Sequence, residues 1–219
     1  MSYTDLRTKW IGRHSRDNDD SPSLDRLVCK NSFTDDGIID DAAYLASDDK
    51  VLIISKESNV FGKRPEGNDL PLHSFCANGG FWLSDVLNDL ETPDGFGVKY
   101  INGLAVICNG ILNDDFANPN TCWDNLRKCA YINLNKRGGF SKCDPSVLAE
   151  YVERYKDLIA EQIRSIQPKI IVCCGKLVFD LLPKDFGFPE NPKKICAYHP
   201  SCRISYINRL IKLDKAINC

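Results

Sequence analysis

From about residue 50 onward, short apolar runs rich in β-branched residues alternate with amphipathic segments. Runs of strand length predict β-strands at residues 51–55, 101–108, 130–134, 169–174 and 194–198. The segments between them and after them predict helices, among them residues 80–90, 176–182 and 205–218. Strands that alternate with helices predict an α/β fold with a mainly parallel central sheet between two helical layers.

The clearest helical pattern begins after Asp144 and Pro145, because an aspartate before a proline is typical of a helix start. Pro168 predicts its end. Apolar residues recur every three or four positions along one face. They are Leu148, Val152, Tyr155, Ile159, Ile163 and Ile166.

Residues 1–48 are polar and weakly patterned, and they predict an N-terminal cap of short helices and loops. Residues 49–219 then form the α/β core, so that residues 1–219 make one domain. With no long apolar stretch and no apolar leader, we expect a cytoplasmic protein without a membrane partner.

The 11 cysteines do not predict a disulfide framework. Their number is odd, no CxxC pair occurs, and several cysteines lie in or beside predicted strands, where they act as small apolar residues. A zinc or iron–sulfur site built from Cys122, Cys129 and Cys143 is the alternative. Because paired spacing is missing, we expect no metal.

The net charge of −2 conceals two halves of opposite sign. Residues 1–119 hold 11 Lys and Arg against 20 Asp and Glu, whereas residues 120–219 hold 17 against 10. The basic half is compatible with a nucleic-acid-binding face, and equally with an ordinary solvated surface.

A carboxylate and an imidazole each follow a predicted strand, Glu57 after the first and His199 after the last. The carboxyl ends of parallel strands lie along one edge of a sheet, where ligands bind. A carboxylate that positions water, facing a histidine that accepts leaving-group charge, is the minimum set for hydrolysing a glycosidic C–N bond.

Three blocks, IISKESNVFG, AYINLNKRGG and YHPSCRIS, resemble the uracil-DNA glycosylase superfamily in order and spacing from about residue 50 to the end. The resemblance implies that family's three-layer α/β/α fold. It also implies a DNA partner, base flipping, a monomer and chemistry without a metal or cofactor.

In the first block, the resemblance implies that Glu57 positions the attacking water, with Asn59 as the fallback. Ser55 and Ser58 stand where the family has glycine and proline. The alternative role of Glu57 is structural, as a cap or as an ion-pair partner of nearby lysines.

In the middle block, Asn133 matches the family's base-reading asparagine, and Asn135 is its rival. An amide pairs a donor with an acceptor, as a pyrimidine edge requires, although an asparagine at a strand end is also a common turn former. Lys136 and Arg137 begin a predicted flexible basic loop that either contacts DNA phosphates or faces water.

In the third block, the resemblance implies that His199 donates to the carbonyl oxygen of the departing base, that Ser201 binds a phosphate, and that Arg203 fills the gap left by the flipped nucleotide. Phe61 or Phe75 is expected to stack on the base. Residues 76–82 resemble a glycine-bearing helix start that offers N–H groups to a phosphate.

Together these features predict a monofunctional DNA glycosylase acting on uracil, or on a modified base such as those of phage DNA in antiviral defence. Strand cleavage is not expected, since no lysine other than Lys56 is near a position for a Schiff base. The alternatives are a catalytically silent DNA-binding or inhibitory module on the same fold, and a different α/β hydrolase acting on a nucleoside or nucleotide.

Overall fold

The computed structural model describes residues 3–20, 33–59, 83, 87, 98–113, 123–139, 142–183 and 185–202. The described helices are α1 Tyr3–Asp20, α2 Asp41–Ala46, α3 Val98–Asn113, α4 Trp123–Arg127, α5 Pro145–Ile166 and α6 Lys176–Leu181. The described strands are β1 Gly37–Ile38, β2 Val51–Asn59, β3 Cys129–Gly139, β4 Ile170–Cys174 and β5 Lys193–Ala197.

The described strands form a five-stranded sheet in the order β1-β3-β2-β4-β5. β2 pairs with β4 and β4 with β5 in parallel, whereas β1 pairs with β3 antiparallel. The prediction of a mixed α/β fold with a mostly parallel sheet is thus confirmed. In this order β3 and β4 lie on opposite sides of β2. Open α/β sheets commonly bind ligands at such a point, just beyond the ends of the strands.

The parallel strands are apolar because both of their faces are covered. Val51, Leu52, Ile53 and Ile54 of β2 are all fully buried, and so are Ile171–Cys174 of β4. At the carboxyl end of β4 the chain turns at Gly175, whose φ of 108° lies in the region that favours glycine. The N–H of Gly175 donates to the carbonyl of Ala197 at 2.8 Å, which fastens the ends of β4 and β5 together.

The helix predicted after Asp144 is α5, and its six predicted apolar positions are all buried. The strands predicted at 130–134, 169–174 and 194–198 correspond to β3, β4 and β5, and the helix at 176–182 to α6. Leu83 and Leu87 are helical and buried, while the rest of the helix predicted at 80–90 lies outside the described residues. The helix predicted at 205–218 also lies outside them.

Four predictions of secondary structure were wrong. The segment 101–108, predicted as a strand, belongs to helix α3, and the N-terminal cap, predicted as short helices and loops, contains the 18-residue helix α1. Two strands are longer than predicted. β2 continues from Ser55 to Asn59, and β3 continues through the predicted loop 136–139. In α1, the buried residues Leu6, Trp10 and His14 recur every fourth position, a helical signal that the polar surroundings obscured.

The chain divides into two compact units. The first comprises residues 1–35, 56–81 and 133–165, and the second comprises 36–55, 82–132 and 166–219. The single domain of 1–219 stays a prediction. No described helix has both the length and the apolar composition of a membrane span.

Candidate active site

In the first unit, the carboxyl group of Glu57 on β2 is held by a side chain of the neighbouring strand. The Nδ2 of Asn135 on β3 donates to Oε2 of Glu57 at 3.2 Å. The half-buried thiol of Cys143, just before α5, lies near the same carboxyl group and lowers its pKa. The carboxyl group therefore has a defined orientation instead of pointing freely into water.

Burial raises the pKa of Glu57 above its ordinary value, while the Asn135 amide, the Cys143 thiol and the charge of Lys56 each lower it. Asp144 adds a smaller upward push. A buried carboxylate whose pKa is held between these opposing influences is typical of a functional group. When ionised, Glu57 can accept a hydrogen bond from a water molecule and so orient it.

Backbone packing also leaves room for this carboxyl group. A Cβ placed on Gly139 of β3 would lie 2.6 Å from Cδ of Glu57 and 2.8 Å from its Oε1. The absence of a side chain at Gly139 thus creates the space that the Glu57 carboxyl group occupies.

The predicted base reader Asn133 is fully buried on β3, and its Nδ2 donates to Oγ of Ser58 at 3.1 Å. Asn133 and Glu57 belong to the same unit. The reading of a base by Asn133 stays a prediction, and Ser58 is the side chain that orients its amide.

The predicted basic loop at Lys136 and Arg137 is wrong, because both residues lie within β3 and are buried, with exposed fractions of 1% and 0%. Arg137 Nη2 donates to the backbone oxygen of His14 at 3.3 Å and to the hydroxyl of Tyr155 at 3.4 Å. The ammonium group of Lys136 lies 5.6 Å from the centroid of the Trp10 ring. Cations enclosed in this way cannot contact DNA phosphates.

In the second unit, His199 follows β5 and begins a tight turn. Its backbone oxygen accepts from the N–H of Cys202 at 2.8 Å, and Pro200 occupies the turn position that proline favours. The backbone N–H of Ser201 donates to Nδ1 of His199 at 3.3 Å. With Nδ1 acting as an acceptor, the hydrogen of the neutral ring is assigned to Nε2, which makes Nε2 the donor.

A chain of hydroxyl groups lies beside this histidine. Ser55 Oγ is 2.7 Å from the hydroxyl of Tyr100, which is 2.8 Å from the hydroxyl of Tyr131. The ring of Tyr100 contacts the ring of His199 at a centroid distance of 5.6 Å. Burial raises the pKa of both tyrosines, so their hydroxyls stay protonated and can act as donors.

Helix α3 approaches the His199 turn at Gly103. A Cβ on Gly103 would lie 2.5 Å from the backbone oxygen of Pro200 and 2.9 Å from its carbonyl carbon. Only glycine permits this approach, and the contact fixes the turn that carries His199.

The predicted site residues are therefore distributed over both units. Glu57, Asn133 and their partners belong to the first unit, and His199 and Ser201 belong to the second. The predicted residues Phe61, Phe75 and Arg203 and the segment 76–82 lie outside the described residues, as does the side chain of Asn59 at the end of β2.

Sequence reasoning missed four contributors to the site, namely Tyr100, Gly103, Tyr131 and Gly139. Tyr100 and Gly103 precede or fall within a segment predicted to be a strand, which concealed their helical placement. Gly139 lay in the predicted loop, where a glycine needs no further explanation.

Within the described ranges, no group of three or more His, Cys, Asp and Glu side chains is arranged to hold a metal ion. Cys129 Sγ lies 3.3 Å from Cys108 Sγ, both of them buried. Cys122 of the alternative metal site lies outside the described residues.

A scan against protein-family models found no match to the chain, and a search of curated proteins found no similar sequence.

Proposed function

We propose that this protein is a monofunctional DNA glycosylase that hydrolyses the N-glycosidic bond of a flipped, non-canonical pyrimidine, either uracil or a modified base. The fold proposed for it is the three-layer α/β/α arrangement of the uracil-DNA glycosylase superfamily. The observation that carries the proposal is the carboxyl group of Glu57 near the end of β2, which the amide of Asn135 holds in a defined orientation.

In the proposed reaction, ionised Glu57 accepts a hydrogen bond from a water molecule and directs its oxygen at C1′ of the deoxyribose. The C1′–N bond breaks, and its electron pair leaves with the base. Negative charge on the base oxygen is stabilised by donation from Nε2–H of His199, the tautomer that the Ser201 contact selects. Water supplies the hydroxyl group to C1′ and a proton to the base.

The role of His199 requires a donor that is fixed before the base departs, because a preorganised donor costs no reorganisation during the reaction. Three contacts in the second unit support this requirement. They are the Ser201 N–H on Nδ1, the Tyr100 ring against the imidazole, and the close approach of Gly103 to Pro200.

The test is release of bases from DNA containing uracil, 5-hydroxymethyluracil or glucosylated hydroxymethylcytosine, with abasic sites revealed by alkali. We expect Glu57→Gln to reduce the rate by about 10²- to 10⁴-fold, because it removes the water-positioning charge while keeping the side-chain shape. We expect His199→Ala to reduce it by about 10²- to 10³-fold, the usual loss for one charge-stabilising donor.

Glu153→Gln is the matched control, since its carboxylate lies on the exposed surface of α5 beside Lys156. This variant should keep the wild-type rate. Retained DNA binding without abasic sites on any of these substrates would overturn the proposal and favour the catalytically silent module.

A further inference from the structure

Both ends of the Asn135 side chain are occupied, which gives the amide a defined direction. Oδ1 of Asn135 accepts from the backbone N–H of Arg137 at 2.9 Å, and Nδ2 donates to Oε2 of Glu57 at 3.2 Å. A backbone N–H can only donate, so the oxygen must face Arg137 and the nitrogen must face Glu57. Asn135 is 1% exposed and cannot rotate without breaking both contacts.

The polar groups around the Glu57 carboxyl group come from each segment packed against it. Asn135 on β3 is its hydrogen-bond donor, the Cys143 thiol is a neutral neighbour, Lys56 on β2 is the nearby cation, and Asp144 before α5 is the nearby anion. The Cys143 thiol donates to the backbone oxygen of Asp144 at 3.7 Å. Asn135 is therefore the donor that orients the Glu57 carboxyl group.

We propose that Asn135 is a positioning residue for Glu57, which aims one carboxylate oxygen and favours its ionised form. In this role Asn135 does not read the base, although it is the sequence neighbour and rival of Asn133. The kinetic part of the inference rests on the proposed function, whereas the contact between Asn135 and Glu57 does not.

The consequence is a specific dependence of the rate on pH. Ionised Glu57 is the active form, so the rate rises with pH through the pKa of Glu57. A donor that is lost raises this pKa, because hydrogen bonding to a carboxylate favours its charged form. Removing the donor should therefore move the acid side of the pH–rate profile to higher pH.

Asn135→Asp is the sharpest variant, because it is isosteric and keeps an oxygen that accepts from the Arg137 N–H. It replaces only the donor to Glu57, and it puts a second carboxylate 3.2 Å from the first. Like charges so close together titrate as a coupled pair, one member of which ionises at higher pH. We expect the kcat at pH 6 to fall by about tenfold or more, with recovery at alkaline pH and an unchanged KM.

Asn133→Asp is the matched control in the same strand, since Asn133 donates to Ser58 and not to Glu57. We expect it to change the KM and the base preference, with the acid side of the kcat profile in place. If Asn135→Asp changes the base preference instead and leaves that acid side unmoved, Asn135 is a base reader and the inference is wrong.

A second variant covers the case in which Asn135→Asp does not fold. Asn135→Ala removes the donor to Glu57 without adding a charge, so it should move the acid side of the profile to higher pH by a smaller amount. An unmoved acid side in this variant would contradict the positioning role.

A readout without catalysis separates this inference from the proposed function. The pKa of Glu57 is measured by NMR titration of a ¹³C-labelled carboxyl group in the wild type and in Asn135→Ala, where no second carboxylate is coupled to it. The inference expects a higher Glu57 pKa in the variant, even if no base is ever released. An unchanged Glu57 pKa would overturn it, whatever the base-release assay shows.

Discussion

The carboxyl group of Glu57 lies where a side chain at Gly139 would otherwise be, so one missing methyl group sets its position. The contact involves the flexible end of Glu57, and Gly139 does not adopt a left-handed backbone conformation. A methyl group added there displaces the carboxyl group more readily than it displaces the strand.

We expect Gly139→Ala to slow base release by about 10²-fold, the loss typical of a 1 Å misplacement of a catalytic group. The free energy of unfolding should change by less than about 1 kcal/mol, because the displaced atoms are at the end of a flexible side chain. Rates from the alkali assay and urea unfolding curves measure the two effects separately.

Gly12→Ala provides the matched control, since nothing lies within 4 Å of a Cβ at this helical position. It should stabilise the protein by about 0.5–1 kcal/mol through helix propensity, without changing the rate. Wild-type base release by Gly139→Ala would show that the Glu57 carboxyl group tolerates displacement.

Glu57 and His199 could be predicted as candidate catalytic residues from the sequence, because each follows an apolar run. It could not supply their partners, since Asn135 lies 78 residues from Glu57 and meets it only through the sheet. The prediction for Lys136 and Arg137 is wrong for a physical reason. Their charges predict exposure, and only the aromatic residues of α1 and α5 create the enclosed site that accommodates them.

Among the secondary-structure elements, α3 is one whose hydrophobic pattern does not distinguish a helix from a strand. Its residues Leu104–Cys108 are all buried, so the segment has no polar face. A continuous apolar run is equally compatible with a buried strand and a buried helix. By contrast, α5 has one apolar and one polar face, and its pattern predicted both bounds and buried positions.

Helix α3 also supports the turn that carries His199, through the contact between Gly103 and the Pro200 backbone. We expect Gly103→Ala to destabilise the protein by about 1–3 kcal/mol, because two backbone segments must separate to admit the methyl group. Base release should fall as well, since the same movement shifts His199.

Urea unfolding and the base-release assay measure these two effects, and Gly12→Ala is again the comparison within a helix. Unchanged unfolding of Gly103→Ala would mean that α3 and the turn can separate at no cost. The strand register at Cys173 and Cys196 should be unaffected in either case, because its parallel ladder does not involve α3.

For the whole molecule, stability below neutral pH depends on the buried His14. Burial and then the charges of Arg137 and Lys136 lower the pKa of His14 from 6.5 to about 2. The unfolded chain therefore takes up a proton at His14 near pH 6.5, whereas His14 of the folded chain stays neutral at this pH. The stabilisation is complete above pH 6.5 and is lost progressively as the pH falls below it.

We expect the free energy of unfolding to fall by about 2 kcal/mol between neutral pH and pH 5 through this one group. The measurement is urea unfolding at several pH values, compared with His14→Gln, whose amide can still bond to the Tyr151 hydroxyl. The variant cancels contributions from other groups, Glu57 included. Equal pH slopes for the two proteins would contradict a neutral, buried His14.

The formal charge of residues 120–219 overstates how basic the surface of this half of the chain is. The formal excess of Lys and Arg in residues 120–219 counts Lys136 and Arg137, which are enclosed and contribute nothing to a DNA-binding surface. A basic face in this half of the chain, which stays a prediction, must therefore be built from other cations. Sequence charge cannot separate enclosed cations from exposed ones, because burial is a property of the folded chain.

The enclosure of Trp10 has an optical consequence. Trp10 is 1% exposed and lies among Tyr155, His14 and Lys136 in the first unit, whereas half-buried Trp123 bonds to Asn102 in the second. With Trp82 replaced by phenylalanine, a further Trp10→Phe or Trp123→Phe change leaves one indole emitter in one unit. The two emission spectra then report whether both units lose their structure at the same urea concentration or one after the other.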